Sequence, residues 1–251
     1  MKIFMAGMDS LTRNGSIYTN LSHKKIKGYF GLYSYYYIKN KQGISLFLNS
    51  EKFFKDVLMD SGAHTFHTQK NINWIEYTRQ YAQFIKKHDK ENIIGYFEMD
   101  IDNRIGYKET LKLRSILQNV SDKIIPVWHK NRGINNFKKM CSEYDYVSIS
   151  ILPIEGINRD ELINYVNYAH SQGCKIHGLG GPYPEVIDNV PFDSVDSIYW
   201  KYGQFYARYN GKKVNSKYFK ENYQLVELAQ YLNYLKTVRK YYKKWTGEEL
   251  I

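Results

Sequence analysis

Val57-Leu58-Met59-Asp60-Ser61-Gly62-Ala63 places a carboxylate and a glycine directly after a short apolar run. Such a run is typical of a buried strand, and the polar residues after it predict that the strand ends there in a loop. Phe192-Asp193-Ser194-Val195-Asp196-Ser197 has the same arrangement, with Asp196 near its end. We therefore expect two aspartates, far apart along the chain, at the ends of two buried strands.

Further strand-like runs and helical patterns extend this arrangement over the chain. The other runs are Lys2–Ala6, Tyr29–Tyr33, Ile93–Met99, Lys123–Trp128, Tyr146–Ser150 and Lys175–Gly178. The helical patterns are Asn73–His88, Lys108–Val120, Ile134–Glu143, Arg159–Gln172 and Pro184–Asn189. Strands alternating with helices in this way predict an α/β fold, a (β/α)8 TIM-type barrel. Residues 7–28 have the pattern of a loop, which leaves an open doubly wound sheet as the alternative fold.

A basic helical segment follows the last strand. Ser216–Trp245 predicts one or two helices with an apolar face of Phe219, Tyr223, Val226, Leu228, Leu232, Leu235 and Val238. Its far end combines cations with aromatic rings, namely Lys236, Arg239, Lys240, Lys243, Lys244, Tyr241, Tyr242 and Trp245. That end is either a solvated charged face or a patch that binds a nucleic-acid backbone. We therefore expect a barrel at 1–215 and a C-terminal helical extension packed on it at 216–251.

The composition narrows the class of protein. The 251 residues suffice for one well-buried domain, and 43% of them are hydrophobic. A formal net charge of +11 and 25 tyrosines favour a polyanionic partner such as a nucleic acid. The alternative is a lysine-rich surface that serves only solubility. Because no apolar run has membrane-spanning length and the N-terminus lacks a signal-peptide core, we expect a cytoplasmic protein with no membrane partner.

Several kinds of site are excluded because their motifs are missing. Cys141 and Cys174 are the only cysteines, and their spacing fits neither a disulfide scaffold nor a cysteine-rich zinc site. The sequence has no GxxxxGK[ST] loop and no GxSxG nucleophile turn. His64 and His67 lie three residues apart, but no HxH or HExxH pattern accompanies them. We therefore predict no bound metal and no cofactor.

Polar residues follow most of the predicted strands. A barrel gathers the carboxyl ends of its strands at one rim, where the active sites of this fold lie. The residues expected there are Asp60, Asp100, Asp102, His129, His177, Gly178, Gly180 and Asp196. The glycines permit close approach of a ligand ring or phosphate, and they suit a plain turn equally well. Asp60 and Asp196 suit covalent chemistry at a sugar carbon, with one carboxylate as nucleophile and the other as acid and base.

Four motifs in a fixed order carry a family resemblance. They lie at Asp60–His64, Pro126–His129, His177–Gly180 and Ser194–Trp200. The first resembles the DSG motif of tRNA-guanine transglycosylases, and the last resembles their nucleophile segment. The ordered set DSGA, PVxH, HGxG and SVDSxxW is most similar to the short phage-type branch of that superfamily, the DpdA-like 7-deazaguanine DNA transglycosylases. The resemblance spans about residues 29–200.

The resemblance implies an activity and a role for each matched residue. The activity is replacement of guanine in DNA by a 7-deazaguanine, such as the 7-cyano form, through a covalent aspartyl–sugar intermediate. Asp196 is then the nucleophile, with Asp193 as a competing choice, and Asp60 is the general acid and base. Asp100, or Asp102 in its place, reads the Watson–Crick edge of guanine. The remaining substrate-binding residues are Ser61, Gly62, His129, His177, Gly178 and Gly180.

The chain also departs from the tRNA enzymes. They carry a cysteine/histidine zinc site after the nucleophile strand, whereas no cysteine follows Trp200 here. This absence predicts a barrel without a zinc subdomain and favours DNA, single-stranded or with a flipped-out guanine, over tRNA. His64 replaces the aromatic residue usual after DSGA.

Several alternatives stay open. They are a tRNA substrate, a glycosidase that excises a modified base with water, a non-catalytic nucleic-acid-binding barrel, and a metal-dependent hydrolase that uses Asp60, His129, His177 and Asp196. A separate protein partner that supplies target recognition is a further alternative.

Overall fold

Short β-branched and aromatic runs form a parallel sheet that curls around a central core. The computed structural model describes residues 1–11, 13–66, 71–181, 184–201, 208–209, 212–213, 217 and 221–251. The sheet has nine strands in the order β5-β4-β3-β2-β1-β9-β8-β7-β6. They are β1 Lys2–Ala6, β2 Gly28–Ser34, β3 Phe54–Asp60, β4 Ile93–Phe97, β5 Ile124–Ile125, β6 Val127–Trp128, β7 Tyr146–Ser150, β8 Lys175–Leu179 and β9 Ser194–Ser197. The predicted strands are confirmed, with small shifts at their ends.

β5 and β6 lie at the two ends of this strand order, yet only Pro126 separates them in the sequence. Proline has no N–H to donate, so it interrupts one strand and separates β5 from β6. β5 pairs with β4, and β6 pairs with β7. The carbonyl of Pro126 still accepts a hydrogen bond from Ser148 N at 2.8 Å. The interrupted strand therefore joins the two sheet edges and leaves a nearly closed barrel, which confirms the (β/α)8 TIM-type fold and excludes the open sheet.

The helices surround the sheet. They are α1 Ser16–Ser22, α2 Tyr35–Ile38, α3 Lys41–Ser50, α4 Trp74–His88, α5 Asp102–Ile105, α6 Tyr107–Gln118, α7 Gly133–Glu143, α8 Arg159–Ser171, α9 Pro184–Asn189 and α10 Tyr223–Thr246. The five helices predicted between strands are confirmed. The expectation of a loop throughout 7–28 is wrong, because α1 buries Ile17 and Leu21, one turn apart, against the core.

α10 completes the helical layer after the last strand. It packs on β1 and α1, which is the place of the eighth helix in a barrel of this type. Its buried residues are Val226, Tyr231, Leu235, Val238, Tyr241 and Tyr242. Of the expected apolar face, Val226, Leu235 and Val238 are buried and Leu228 is partly buried, whereas Tyr223 and Leu232 are exposed. Phe219 and the expected boundary at 215/216 lie outside the described residues, as do most of residues 202–220, which follow the last strand.

A buried ion pair supports the interrupted strand. Glu98 follows β4 and is fully buried, and Arg114 of α6 donates two hydrogen bonds to it at 2.7 and 2.9 Å. The same carboxylate accepts a hydrogen bond from Val127 N at 2.7 Å, so it also satisfies the first backbone N–H after Pro126.

None of the described helices combines the length and hydropathy needed to cross a membrane.

Candidate active site

A cavity of about 1370 Å³ opens at the carboxyl ends of the strands. Asp60, the last residue of β3, and Asp196 of β9 both line it, together with Asp9, Lys201 and Gly180. Its remaining polar and aromatic wall residues are Ser10, Ser34, Tyr37, Thr65, Ser197, Tyr199, Asn233, Tyr234, Thr237 and Tyr241. The structure therefore brings the two aspartates, 136 positions apart in the chain, to one cavity.

Asp60 lies in surroundings that favour its protonated form. Burial is the largest influence and raises the pKa of Asp60 from 3.8 to about 7, although a hydrogen bond from the backbone of Gly62 acts in the opposite direction. The carboxylates of Asp100, Asp196 and Asp9 add to the increase by repulsion. A carboxyl with a pKa near 7 holds and releases a proton at neutral pH, which is what a general acid and base requires.

Only one carboxylate oxygen of Asp196, Oδ1, has hydrogen-bond partners among the described residues. Its Oδ1 accepts Gly180 N at 3.0 Å and lies 3.4 Å from His177 Nε2. No hydrogen bond to Oδ2 occurs among the described residues, and the side chain keeps 14% of its surface exposed. Asp193, the competing residue, lies just before β9, where it accepts Ile176 N at 2.7 Å and contacts His170 at 2.9 Å. Asp193 therefore sits at the amino end of the barrel, away from the cavity.

His177 lies inside the barrel and has no exposed surface. Its Nδ1 is 2.6 Å from Ser194 Oγ, which in turn is hydrogen-bonded to the hydroxyl of Tyr146. Its ring packs against Phe97, with a centroid separation of 4.9 Å. His177 is thus part of a buried chain of polar groups behind Asp196 and does not line the cavity.

Asp100 and His129 form a second polar cluster beside Asp60. His129 Nε2 lies 2.6 Å from Asp100 Oδ1, and its Nδ1 lies 2.7 Å from Glu155 Oε1. Burial opposes charge on the His129 ring, but the hydrogen bonds to Asp100 and Glu155 outweigh it and raise the pKa of His129 to about 10. His129 is therefore an imidazolium that donates to both carboxylates and fixes the orientation of Asp100.

Asp102 has a separate partner. It accepts Arg132 Nε at 2.8 Å, and its nearest distance to His129 is 3.6 Å. Both aspartates thus face a cation, Asp100 the ring of His129 and Asp102 the guanidinium of Arg132, and Asp100 is the one whose charge acts on Asp60. One ligand atom from each of Asp100, Asp102 and His129 lies within 4.8 Å of the others, so these three could hold a divalent cation if His129 gave up its proton. His64 is exposed, and His67 lies outside the described residues.

The other sequence-predicted residues shape the strand ends. Ser61 is fully buried, and its carbonyl accepts the hydroxyl of Tyr77 at 2.7 Å. Gly62 has a φ of 70°, and a Cβ there would lie 2.3 Å from Tyr36 Cβ, so only glycine fits. Gly178 packs against Phe192 behind β8. Of the residues expected to bind substrate, Gly180 alone lines the cavity described above.

Sequence reasoning missed two charged residues of the cavity. Asp9 follows β1 and Gly7, and its Oδ1 accepts Ser34 N at 3.1 Å. Burial raises the pKa of Asp9, and the nearby charge of Lys201 counteracts part of that effect. Lys201 is 6% exposed, and burial lowers its pKa. The rule that identified Asp60 also identifies Asp9, since Lys2–Ala6 is a strand followed by glycine and a carboxylate.

The basic end of α10 is largely paired within the protein. Lys244 contacts Asp188 at 3.0 Å, Lys243 pairs with Glu249, and Arg239 donates to Tyr29 at 2.8 Å. Tyr241 and Tyr242 are buried, and Tyr241 faces the cavity rather than the outer surface of the helix. These contacts favour the solvated-face interpretation over a nucleic-acid patch.

No protein-family model matches the chain, and neither does any curated protein. Among solved structures, a GH10 endoxylanase retrieved from a sugarcane soil metagenome matches with a TM-score of 0.47 and 10% sequence identity. The alignment covers 78% of this chain and 84% of that chain.

Proposed function

We propose that the protein is a base-exchange glycosyltransferase that replaces guanine in DNA with a 7-deazaguanine. The observation that carries the proposal is that two carboxylates, Asp60 and Asp196, line one cavity. Asp60 is a proton carrier with a pKa of about 7. Asp196 is a carboxylate with 14% of its side chain exposed, with one oxygen held and the other turned to no protein donor among the described residues. The ordered motifs that resemble 7-deazaguanine transglycosylases support the same assignment.

In the first half-reaction, Asp196 Oδ2 attacks C1′ of the target nucleotide. The bond from C1′ to the guanine nitrogen breaks, and the electron pair of that bond leaves with the base. Asp60 gives its proton to the departing base, so neutral guanine is released and Asp60 becomes a carboxylate. The product on the enzyme is an ester between Asp196 and the sugar.

In the second half-reaction, Asp60 acts as a base. It takes the proton from the ring nitrogen of the incoming 7-deazaguanine, and that nitrogen attacks C1′ and displaces Asp196. Two inversions at C1′ give net retention, and both carboxyls return to their starting states. Water in place of the incoming base would leave an abasic site, so the cavity must exclude water while the ester exists.

Base recognition is assigned to Asp100, in keeping with the resemblance, and Asp100 would meet the base from beside Asp60, outside the residues that line the cavity. His129, which Glu155 orients through its Nδ1, donates to Oδ1 of Asp100 and leaves the other oxygen to accept hydrogen bonds from N1–H and the exocyclic amine of guanine. A guanine inside a duplex cannot reach a recessed site of this kind, so the substrate is an unpaired or flipped-out nucleotide. The net charge of +11 favours association with a polyanion.

Exchange of radiolabelled guanine into a guanine-containing oligonucleotide tests the proposal. Wild-type protein should incorporate label, Asp196→Ala should abolish incorporation, and Asp60→Asn should retain oligonucleotide binding but lose turnover. Asp193→Asn is the matched control, because it removes an aspartate three residues from Asp196 that lies outside the cavity. The control should keep the wild-type rate.

Parallel assays on DNA and tRNA, read by nucleoside mass spectrometry of both, identify the nucleic acid. Exchange by Asp196→Ala at the wild-type rate would overturn the proposal. Abasic sites formed without added base would assign the excision reaction instead.

A further inference from the structure

The sequence does not show whether His177 contacts the substrate itself or supports another residue that does. The imidazole is fully buried inside the barrel, between Phe97 and the polar chain to Tyr146. A group without exposed surface does not touch a substrate in the cavity. It contacts Asp196, however, which lines that cavity.

We propose that His177 is a positioning residue, which holds Asp196 Oδ1 through an Nε2–H donor so that Oδ2 is the oxygen that attacks the sugar. This role rests on the proposed function, because that function makes Asp196 the nucleophile. Gly180 N is the second donor to the same oxygen, at 3.0 Å. Two donors on Oδ1 fix the rotation of the carboxylate and leave Oδ2 facing the cavity.

The hydrogen bonds behind the ring determine which nitrogen carries the hydrogen. A lone pair on Nε2 would face a carboxylate oxygen at 3.4 Å, so Nε2 needs a hydrogen. Nδ1 then accepts the hydroxyl hydrogen of Ser194 at 2.6 Å. Ser194 Oγ in turn accepts the hydroxyl hydrogen of Tyr146. Every donor in this series of hydrogen bonds has an acceptor, so Tyr146 and Ser194 set the tautomer of His177 that Asp196 requires.

The strand register builds the same arrangement. His177 of β8 is the register partner of Ser194 on β9, and Asp196 is two residues further along β9 on the same face. Tyr146, the first residue of the hydrogen-bond series, lies on β7, which is next to β8. The order from Tyr146 through Ser194 and His177 to Asp196 therefore runs across three adjacent strands, from the amino end of the barrel toward the cavity.

Paired substitutions at His177 test the role in catalysis. His177→Met fills a similar volume without a donor, and the kcat of guanine exchange should fall about 100-fold while the KM for the oligonucleotide stays unchanged. His177→Gln places an amide donor near the position of Nε2 and should recover most of the loss. Ser148→Ala is the matched control, because that buried hydroxyl donates only to the backbone carbonyl of His177 at 3.3 Å.

The outcomes separate positioning from simple packing. Equal kcat losses in His177→Met and His177→Gln, or a matching loss in Ser148→Ala, would overturn the proposal. Thermal unfolding of each variant shows whether a loss of activity follows a loss of folded protein.

Nitrogen NMR of histidine-labelled wild-type protein tests the tautomer without any turnover. A hydrogen on Nε2 of His177 is expected, and its absence would overturn the positioning role even in an enzyme that exchanges guanine. Conversely, a wild-type protein that carries this hydrogen and exchanges no guanine would contradict the proposed function and leave the hydrogen bond to Asp196 in place.

Discussion

Asp60 lowers the stability of the folded protein at neutral pH. Burial is the main reason that its pKa rises from 3.8 to about 7. A carboxyl with a raised pKa contributes its stability below the pKa of the unfolded chain, and that contribution is lost as the pH rises through the folded value. The free energy of unfolding should therefore fall between about pH 4 and pH 7, by at most about 4 kcal/mol from this residue.

Asp60→Asn should thus be more stable than wild type at pH 8, by about 1 to 3 kcal/mol, and close to wild type at pH 4. Denaturant unfolding at both pH values measures the difference. Asp122→Asn, at an exposed position, is the control and should change the free energy of unfolding by less than about 0.5 kcal/mol at either pH. An Asp60→Asn variant with no gain at pH 8 would show that the site does not raise this pKa.

The same ionisation should control the rate. The first half-reaction needs protonated Asp60, so kcat/KM for the oligonucleotide should be level below pH 7 and fall about tenfold for each pH unit above it. Asp9→Asn should move this fall to lower pH, because the charge of Asp9 contributes to the raised pKa of Asp60. Profiles of kcat/KM from pH 5 to pH 9 for wild type and Asp9→Asn measure this shift. An inflection at the same pH in both proteins would contradict an effect of Asp9 on the pKa of Asp60.

At this scale the sequence predicts where polar groups lie but not which way they face. Asp60 and Asp196 follow apolar runs, and both line the cavity. The sequence predicts His177 at a strand end, but it lies in the middle of β8, and the alternation of side chains along the strand points it into the barrel. Lys201 follows no strand directly, and its position depends on packing against Gly7, 194 positions earlier in the chain.

Among the elements, the interrupted strand at Pro126 depends on a single buried carboxylate. Glu98 accepts Val127 N and two hydrogen bonds from Arg114, so its removal leaves the Val127 amide and two N–H groups of Arg114 without these acceptors in the core. Glu98→Ala should lower the free energy of unfolding by about 3 to 5 kcal/mol, measured by denaturant unfolding. Glu109→Ala removes the exposed partner of Lys112 and should cost less than about 1 kcal/mol. Equal losses in the two variants would refute the supporting role of Glu98.

Element types follow from the sequence where patterns are long. α4 and α8 have clear apolar periodicity and asparagine caps, and the strands are separated by turn residues. α1 is not predicted, because the pattern of residues 7–28 indicates a loop, although Ile17 and Leu21 are buried one turn apart. The interruption at Pro126 is also not predicted, because the sequence pattern indicates one strand at Lys123–Trp128. In the structure its two halves, β5 and β6, pair with different neighbours.

For the whole molecule, α10 packs on the first strand and the first helix of the barrel. The sequence identifies a C-terminal helix, but it cannot show that this helix packs on β1, the first strand, because that contact joins the two ends of the chain. Tyr242 stacks on Phe30 of β2 at 5.8 Å, and Trp245 donates to the carbonyl of Ile187 at 2.9 Å. These contacts tie the helix to both sides of the barrel.

Two matched substitutions in α10 test this integration. Leu235 is 4% exposed and Leu232 is 39% exposed, although the sequence pattern places both on the apolar face. Leu235→Asp buries a carboxylate and should lower the free energy of unfolding by more than about 4 kcal/mol. Leu232→Asp should change it by less than about 1 kcal/mol.

Hydrogen exchange separates loss of a helix from loss of the fold. Because α10 covers β1, Leu235→Asp should speed amide exchange in the strands β4 and β7, on the far side of the barrel, to the same degree as in α10 itself. Leu232→Asp should leave both sets of amides protected. Fast exchange confined to α10 in Leu235→Asp would mean that the barrel stands without this helix and that the C-terminal segment is an appended element after all.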